Sequence, residues 1–145
     1  IKLSGKINKE ITNWIIGKIL KFFKLKKISN KNKKIIIIGV AYKKNVDDDR
    51  ETPAYYIMEK LIQKKIKIDF HDPYIKSIKE GRKYKNFKNL RSKPLTQNTF
   101  KNSIATIIVT DHDKINYNKI LKFSRFIFDT RGVYKSKNDS KVITL

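Results

Sequence analysis

The stretch Ile35–Pro53, IIIIGVAYKKNVDDDRETP, decides the fold. Four consecutive isoleucines are apolar on both faces, as a strand buried in a parallel sheet requires; a half-solvated strand would alternate. Gly39 ends the run and lets the backbone turn sharply. The eight residues from Lys43 to Arg50 then hold two lysines, three aspartates and an arginine. Thr52 is a candidate cap, and Pro53 opens an apolar-periodic helix expected to run to Lys64. A charged loop therefore follows the carboxyl end of a buried strand, which is where open α/β sheets bind ligands.

Upstream, Ile7–Phe23 carries apolar residues at Ile7, Ile11, Trp14, Ile15, Ile19, Phe22 and Phe23, intervals that describe one face of a long helix. An apolar stripe of that size marks an interface, so it is expected to pack on a second subunit or on a further domain. Residues 25–34 are rich in lysine and asparagine and read as a linker. Downstream, Ile57, Leu61 and Ile62 of the helix after Pro53 would face the sheet, with Met58 beside them. Lys67–His71 (KIDFH) reads as a second strand closed by Asp72-Pro73.

Tyr74–Pro94 is basic and weakly patterned, a loop with irregular pieces, and Leu95–Ser103 could hold a short helix. Ala105–Thr110 (ATIIVT) reads as a third buried strand, Tyr117–Phe123 as a helix and Phe126–Asp129 as a last strand. The polar tail after Gly132 is expected to be loosely held. Alternating strands and helices predict a small parallel α/β sheet with helices on both faces, preceded by one long helix.

At 145 residues the chain is long enough for one core. It has no cysteine, which excludes disulfides, zinc–thiolate sites and cysteine nucleophiles within it. No apolar run reaches the ~20 residues of a membrane helix and no secretory pattern is visible, so cytoplasm is the expected compartment. Lys+Arg number 35 against 13 acids, a net charge of +22. A polyanionic partner is one reading. The lysines are scattered, however, and isoleucine and asparagine are abundant with them, as expected from compositional drift in an AT-rich genome. No RNP-like aromatic motif or zinc-finger spacing accompanies the charge.

In a parallel sheet the strand ends converge on one edge. The first strand offers Tyr42, Lys43, Asp48 and Arg50; the second, His71 and Asp72; the third, Asp111, His112 and Asp113; the last, Asp129 and Arg131. Lys43 as a point charge and Arg131 as a planar fork suit phosphate oxygens, and Tyr42 could pack on a base or sugar. Asp48 and Arg50 could equally form a surface ion pair worth ~0–1 kcal/mol. His71 and His112 could simply hydrogen-bond loop backbone, and no helix brings them to metal-ligand spacing with their aspartates. Gly39 belongs to no G-x-G-x-x-G. Residue chemistry alone stops at an α/β domain with a basic ligand edge.

Four blocks carry a resemblance further: GVAYKKNVDDDRETPA at Gly39–Ala54, HDPY at His71–Tyr74, TDHD at Thr110–Asp113 and FDTRGVYK at Phe128–Lys135. In this order and at these spacings they resemble the C-terminal, UDP-sugar-binding domain of the UDP-glucose/GDP-mannose dehydrogenases, the nucleotide-sugar 6-dehydrogenases. The tyrosine and valine of YKKNVDD look more like the UDP-N-acetylhexosamine branch. The resemblance implies a Rossmann-like domain over 35–135 and a tail over 136–145, with residues 1–24 ending a central dimerisation helix, hence a homodimer. It implies that Tyr42, Lys43 and Arg131 contact the UDP-sugar, and that Arg50, supported by Asp48, reaches NAD held mainly by an N-terminal domain. In that family the alcohol is oxidised to the acid through a thiohemiacetal on a cysteine, for polysaccharide biosynthesis. This chain has neither that cysteine nor the glycine-rich NAD motif and starts at Ile1, so it is expected to be a fragment, inactive alone. Gly5-Lys6 also stands where the family often has an arginine before the IN of the helix. Competing expectations are a non-catalytic UDP-sugar-binding module and a basic nucleic-acid-binding domain.

Overall fold

The computed structural model describes residues 2–29, 33–79 and 85–145, with side chains from residue 9 onward. In chain order the elements are α1 (Lys2–Leu25), β1 (Lys34–Ile38), α2 (Pro53–Gln63), β2 (Lys67–His71), α3 (Gln97–Phe100), β3 (Ser103–Ile108), α4 (Tyr117–Phe123), β4 (Ile127–Asp129) and β5 (Val142–Thr144). The five strands form one sheet in the order β2-β1-β3-β4-β5, and every pairing is parallel. The chain runs from β1 outward to β2, then crosses to β3 on the other side of β1. The crevice between β1 and β3 is therefore the switch point at which such sheets bind ligands.

The isoleucine run works as its composition demands. Ile35 and Ile37 join the core under α1 and α2, whereas Ile36 and Ile38 join the core with Phe100, Ile115 and Ile120 on the opposite face; all four are fully buried. Burying each is worth about 1.5–3 kcal/mol, and no polar residue could occupy either face of β1 without a partner. Helices thus cover both faces of the sheet. Thr52 caps α2 by accepting from the Ala54 N–H, with Pro53 next to it. Ile57, Met58 and Leu61 are buried beneath it, and Ile62 is half-buried.

Three expectations are corrected. The first concerns α1: Ile15, Ile19 and Phe23 pack into the domain's own core together with Thr12 and Ile16, which the stripe had omitted. Phe22 packs edge-on against Phe126 and Phe128 at 5.0 and 5.4 Å. Ile11 and Trp14 instead stay 52% exposed, leaving this shoulder open to another partner. The second is the tail, which is not loose: Val142, Ile143 and Thr144 pair in register with Ile127, Phe128 and Asp129. The Leu145 N–H also donates to the Asp129 carbonyl at 3.0 Å.

The third is Tyr74–Pro94, whose described parts are better organised than its composition suggests. Ser77 bridges Arg91, and Ile78 and Phe87 are buried. Residues 80–84 of that loop, residues 30–32 of the expected linker, and the side chains of Ile7 and of Gly5-Lys6 lie outside the described residues.

Candidate nucleotide-sugar site

The turn after β1 is set by Gly39, at φ +80°, where an added Cβ would sit 2.0 Å from the Thr110 carbonyl oxygen. This close approach clamps the β1 turn to the β3 turn, and the Thr110 hydroxyl adds a bond to the Ala41 carbonyl at 2.7 Å. Beyond it the loop carries the predicted site residues. Tyr42 is 50% exposed, and its N–H donates to the Asp48 carbonyl at 2.7 Å. Lys43 is exposed, with no ion-pair partner among the described residues.

Asp48 and Arg50 do pair: Nε and Nη2 of Arg50 reach the two carboxylate oxygens at 2.9 and 2.8 Å, and the Arg50 N–H joins them at 3.0 Å. That fork holds the guanidinium pKa above its ordinary value. Arg131, on the loop after β4, is exposed and donates from Nε to Asp111 at 3.3 Å. Buried Asp129 shapes its loop, accepting from the N–H groups of Arg131 and Tyr134. The structure therefore brings Tyr42, Lys43, Asp48 and Arg50 onto one loop and Arg131 onto another at the same strand-end edge. Among the described residues, no side-chain hydrogen bond or ion pair joins Lys43 to Arg131.

His71 binds a backbone carbonyl, and His112 lies between a backbone amide and a buried carboxylate. Nδ1 of His71 donates to the Lys93 carbonyl at 2.7 Å. Burial pushes its pKa below the ordinary value, more than the Lys93 carbonyl and Asp72 raise it. His112 is fully buried, its Nδ1 2.8 Å from the Asn45 N–H and its Nε2 2.9 Å from Asp72 Oδ2. Among the described residues no group of three or more His, Asp or Glu side chains could hold a metal ion.

Several residues organise this edge; the sequence reading named Asp72 and Asp113 among its candidates without their partners, but not Asn45, Tyr117 or Tyr134. Asp72 is 2% exposed and gathers five donors: the N–H groups of Val40 and Ala41 and His112 Nε2 on Oδ2, and those of Tyr74 and Ile75 on Oδ1. Asn45 exchanges two hydrogen bonds with Asp113, through its side-chain amide and the Asp113 N–H. Asn45 and Lys44 together hold the Asp113 carboxyl below its ordinary range. Tyr117 donates to the His112 carbonyl and Tyr134 to the Tyr117 carbonyl, both at 2.6 Å. An unbroken chain of hydrogen bonds thus ties together the loops after β1, β2, β3 and β4. The Asp-Pro after β2 and the left-handed tolerance of asparagine were available signals; their long-range partners were not.

Fold and edge together define a doubly wound parallel α/β domain that presents cations on loops flanking its switch point. Residues 36–136 match the UDP-glucose/GDP-mannose dehydrogenase family, UDP binding domain, and the chain belongs to that family as its C-terminal UDP-binding domain. It is 33% identical over 122 residues to a UDP-N-acetyl-D-mannosamine dehydrogenase of Methanococcus aeolicus, covering 82% of this chain and 24% of that protein. A UDP-glucose 6-dehydrogenase of Arabidopsis thaliana is 29% identical over 126 residues, covering 70% and 26%. Among solved structures, a UDP-D-ManNAc dehydrogenase from Pyrococcus horikoshii superposes with a TM-score of 0.71 at 23% identity, over 96% of this chain and 31% of that one. That likeness shows the shared fold. The chain spans about a quarter of the length of these curated relatives.

Proposed function

We propose that this chain is the nucleotide-sugar-binding part of an NAD-dependent UDP-sugar 6-dehydrogenase. Its substrate would be a UDP-N-acetylhexosamine, oxidised at C6 from the alcohol to the uronic acid for polysaccharide biosynthesis. One observation carries the reading: Lys43 and Arg131 stand exposed on the loops after β1 and β4 of a domain belonging to the UDP-binding family. Cations at one edge favour a diphosphate, and this pair supplies a point charge and a planar fork. Tyr42 offers an exposed ring face beside Lys43 for the base or sugar.

The donor set also fits NAD. Asp48 occupies Nε and one Nη2 position of Arg50 and leaves the remaining Nη donors for a pyrophosphate. NAD, when bound, supplies the acceptor for the hydride leaving C6; Arg50 binds and orients, with Asp48 fixing its plane. The thiol nucleophile and the main NAD fold would come from other parts of the dehydrogenase, and this chain alone would be inactive, in a cytoplasmic homodimer joined through α1.

The test is calorimetric titration of the 145-residue chain with UDP and a UDP-N-acetylhexosamine at physiological salt, with GDP as control. Saturable binding preferring uridine is expected. Lys43→Ala and Arg131→Ala should each weaken it by about tenfold, the loss of one charge-assisted hydrogen bond. Unchanged affinity in both variants would remove these two residues from the site.

A further inference from the structure

We propose that His112 is a positioning residue for the nucleotide-sugar loop: the bare Nδ1 of its ring holds the Asn45 amide, and Asp72 holds the ring. The inference deepens the proposed function and rests on it only for the identity of the ligand. A backbone N–H can only donate, so Nδ1, 2.8 Å from the Asn45 nitrogen, must present its lone pair. The ring proton then sits on Nε2, pointing at Asp72 Oδ2, 2.9 Å away. The same carboxylate oxygen accepts from Val40 and Ala41, directly before Tyr42. The loop is thereby fastened at two points, at Ala41 by Asp72 and Thr110, and at Asn45 by His112 and Asp113. Only Tyr42, Lys43 and Lys44 lie between the anchors. Asn45 sits at φ +66°, in the left-handed region that asparagine tolerates better than most residues.

The groups around the ring are Asp72 and His71 at the end of β2, Tyr74 with its ring centre 4.8 Å away, Lys114 over Tyr74, Asp113 beside it, and the Tyr117 hydroxyl on its carbonyl.

Two substitutions separate the two nitrogens. In His112→Asn the amide oxygen can stand where Nδ1 stood, keeping the acceptor and losing the donor to Asp72. In His112→Gln the amide nitrogen can reach toward Asp72 and the acceptor is lost. Both remove a buried ring, so thermal melts of each variant are recorded and binding is measured well below both transitions. The readouts are affinity for UDP-N-acetylglucosamine at neutral pH and amide exchange at Asn45 without ligand. We expect His112→Gln to weaken binding by about tenfold and His112→Asn by no more than about threefold.

Equal losses in the two variants would overturn the proposal. If the wild-type chain binds no UDP-sugar at all, the ligand assignment falls, and the positioning claim is decided by exchange alone. Asn45 protection kept in wild type and His112→Asn but lost in His112→Gln upholds it; an Asn45 amide already unprotected in wild type overturns it.

Discussion

Gly39 shows how one residue can govern both stability and binding. A Cβ at that position meets the Thr110 carbonyl at 2.0 Å, and φ +80° is strained for any side chain. Gly39→Ala should therefore cost about 3 kcal/mol or more in urea denaturation, and should weaken UDP-sugar binding with it, because the displaced turn carries Tyr42 and Lys43. His71 gives a pH dependence. Its pKa in the fold lies below 6.5, so as pH falls the unfolded chain takes up the proton first and acid favours unfolding. Above that range the ring is neutral in both states and contributes nothing. Stability should decline as pH falls through the ordinary histidine range, and His71→Gln should flatten the decline in urea melts; an unchanged slope would assign it to other groups. The cations at Lys43 and Arg131 could be picked out of the sequence because four short blocks, read in order, point to them. His112 and Asn45 could not be joined in that way: they lie 67 positions apart, and no periodicity links a ring nitrogen to a distant amide.

Element by element, α1 is where the sequence pattern was closest to ambiguous. Helical spacing placed Ile11, Trp14, Ile15 and Ile19 on one stripe, yet the groove over α2 and the sheet takes Ile15, Ile16, Ile19 and Phe23 and leaves Ile11 and Trp14 outside. A stripe wider than its groove reveals that a helix is amphipathic and hides which edge is covered. Ile19→Ala should cost about 2–5 kcal/mol, as for a filled core site, while Trp14→Ala should stay within about 0.5 kcal/mol in chemical denaturation. A homodimer through α1 would reverse that ranking in sedimentation, with Trp14→Ala dissociating and Ile19→Ala associating as before once folded. The strand Val142–Thr144 was missed because three residues among charged neighbours carry too little pattern. Only the open edge of β4, which it covers, gives it a place. Removing residues 138–145 should lower the melting temperature and promote association through the bared β4 edge.

Across the whole molecule, the charge of +22 sets behaviour that the site does not. Non-specific adhesion to duplex DNA should be measurable at low salt and fall steeply as salt rises, because it depends on counterion release. UDP-sugar binding through a few fixed contacts should persist at physiological salt. Affinity for DNA that survived there would revive a nucleic-acid role. Alternating strands and helices were enough to predict a parallel sheet covered on both faces, but strand order depends on crossovers that only the assembled chain displays. That order bears on how the protein reaches its native state. β1 lies inside the sheet between β2 and β3, yet Ile35 must await Ile68 on one side and Ala105 on the other before its backbone is paired. Until then four isoleucines form a bare, sticky template in the nascent or refolding chain, and such long-range pairing is slow. Lys33-Lys34 before the run and Lys43-Lys44 after it stand where gatekeeper charges would repel a second copy while the partner strands are still missing.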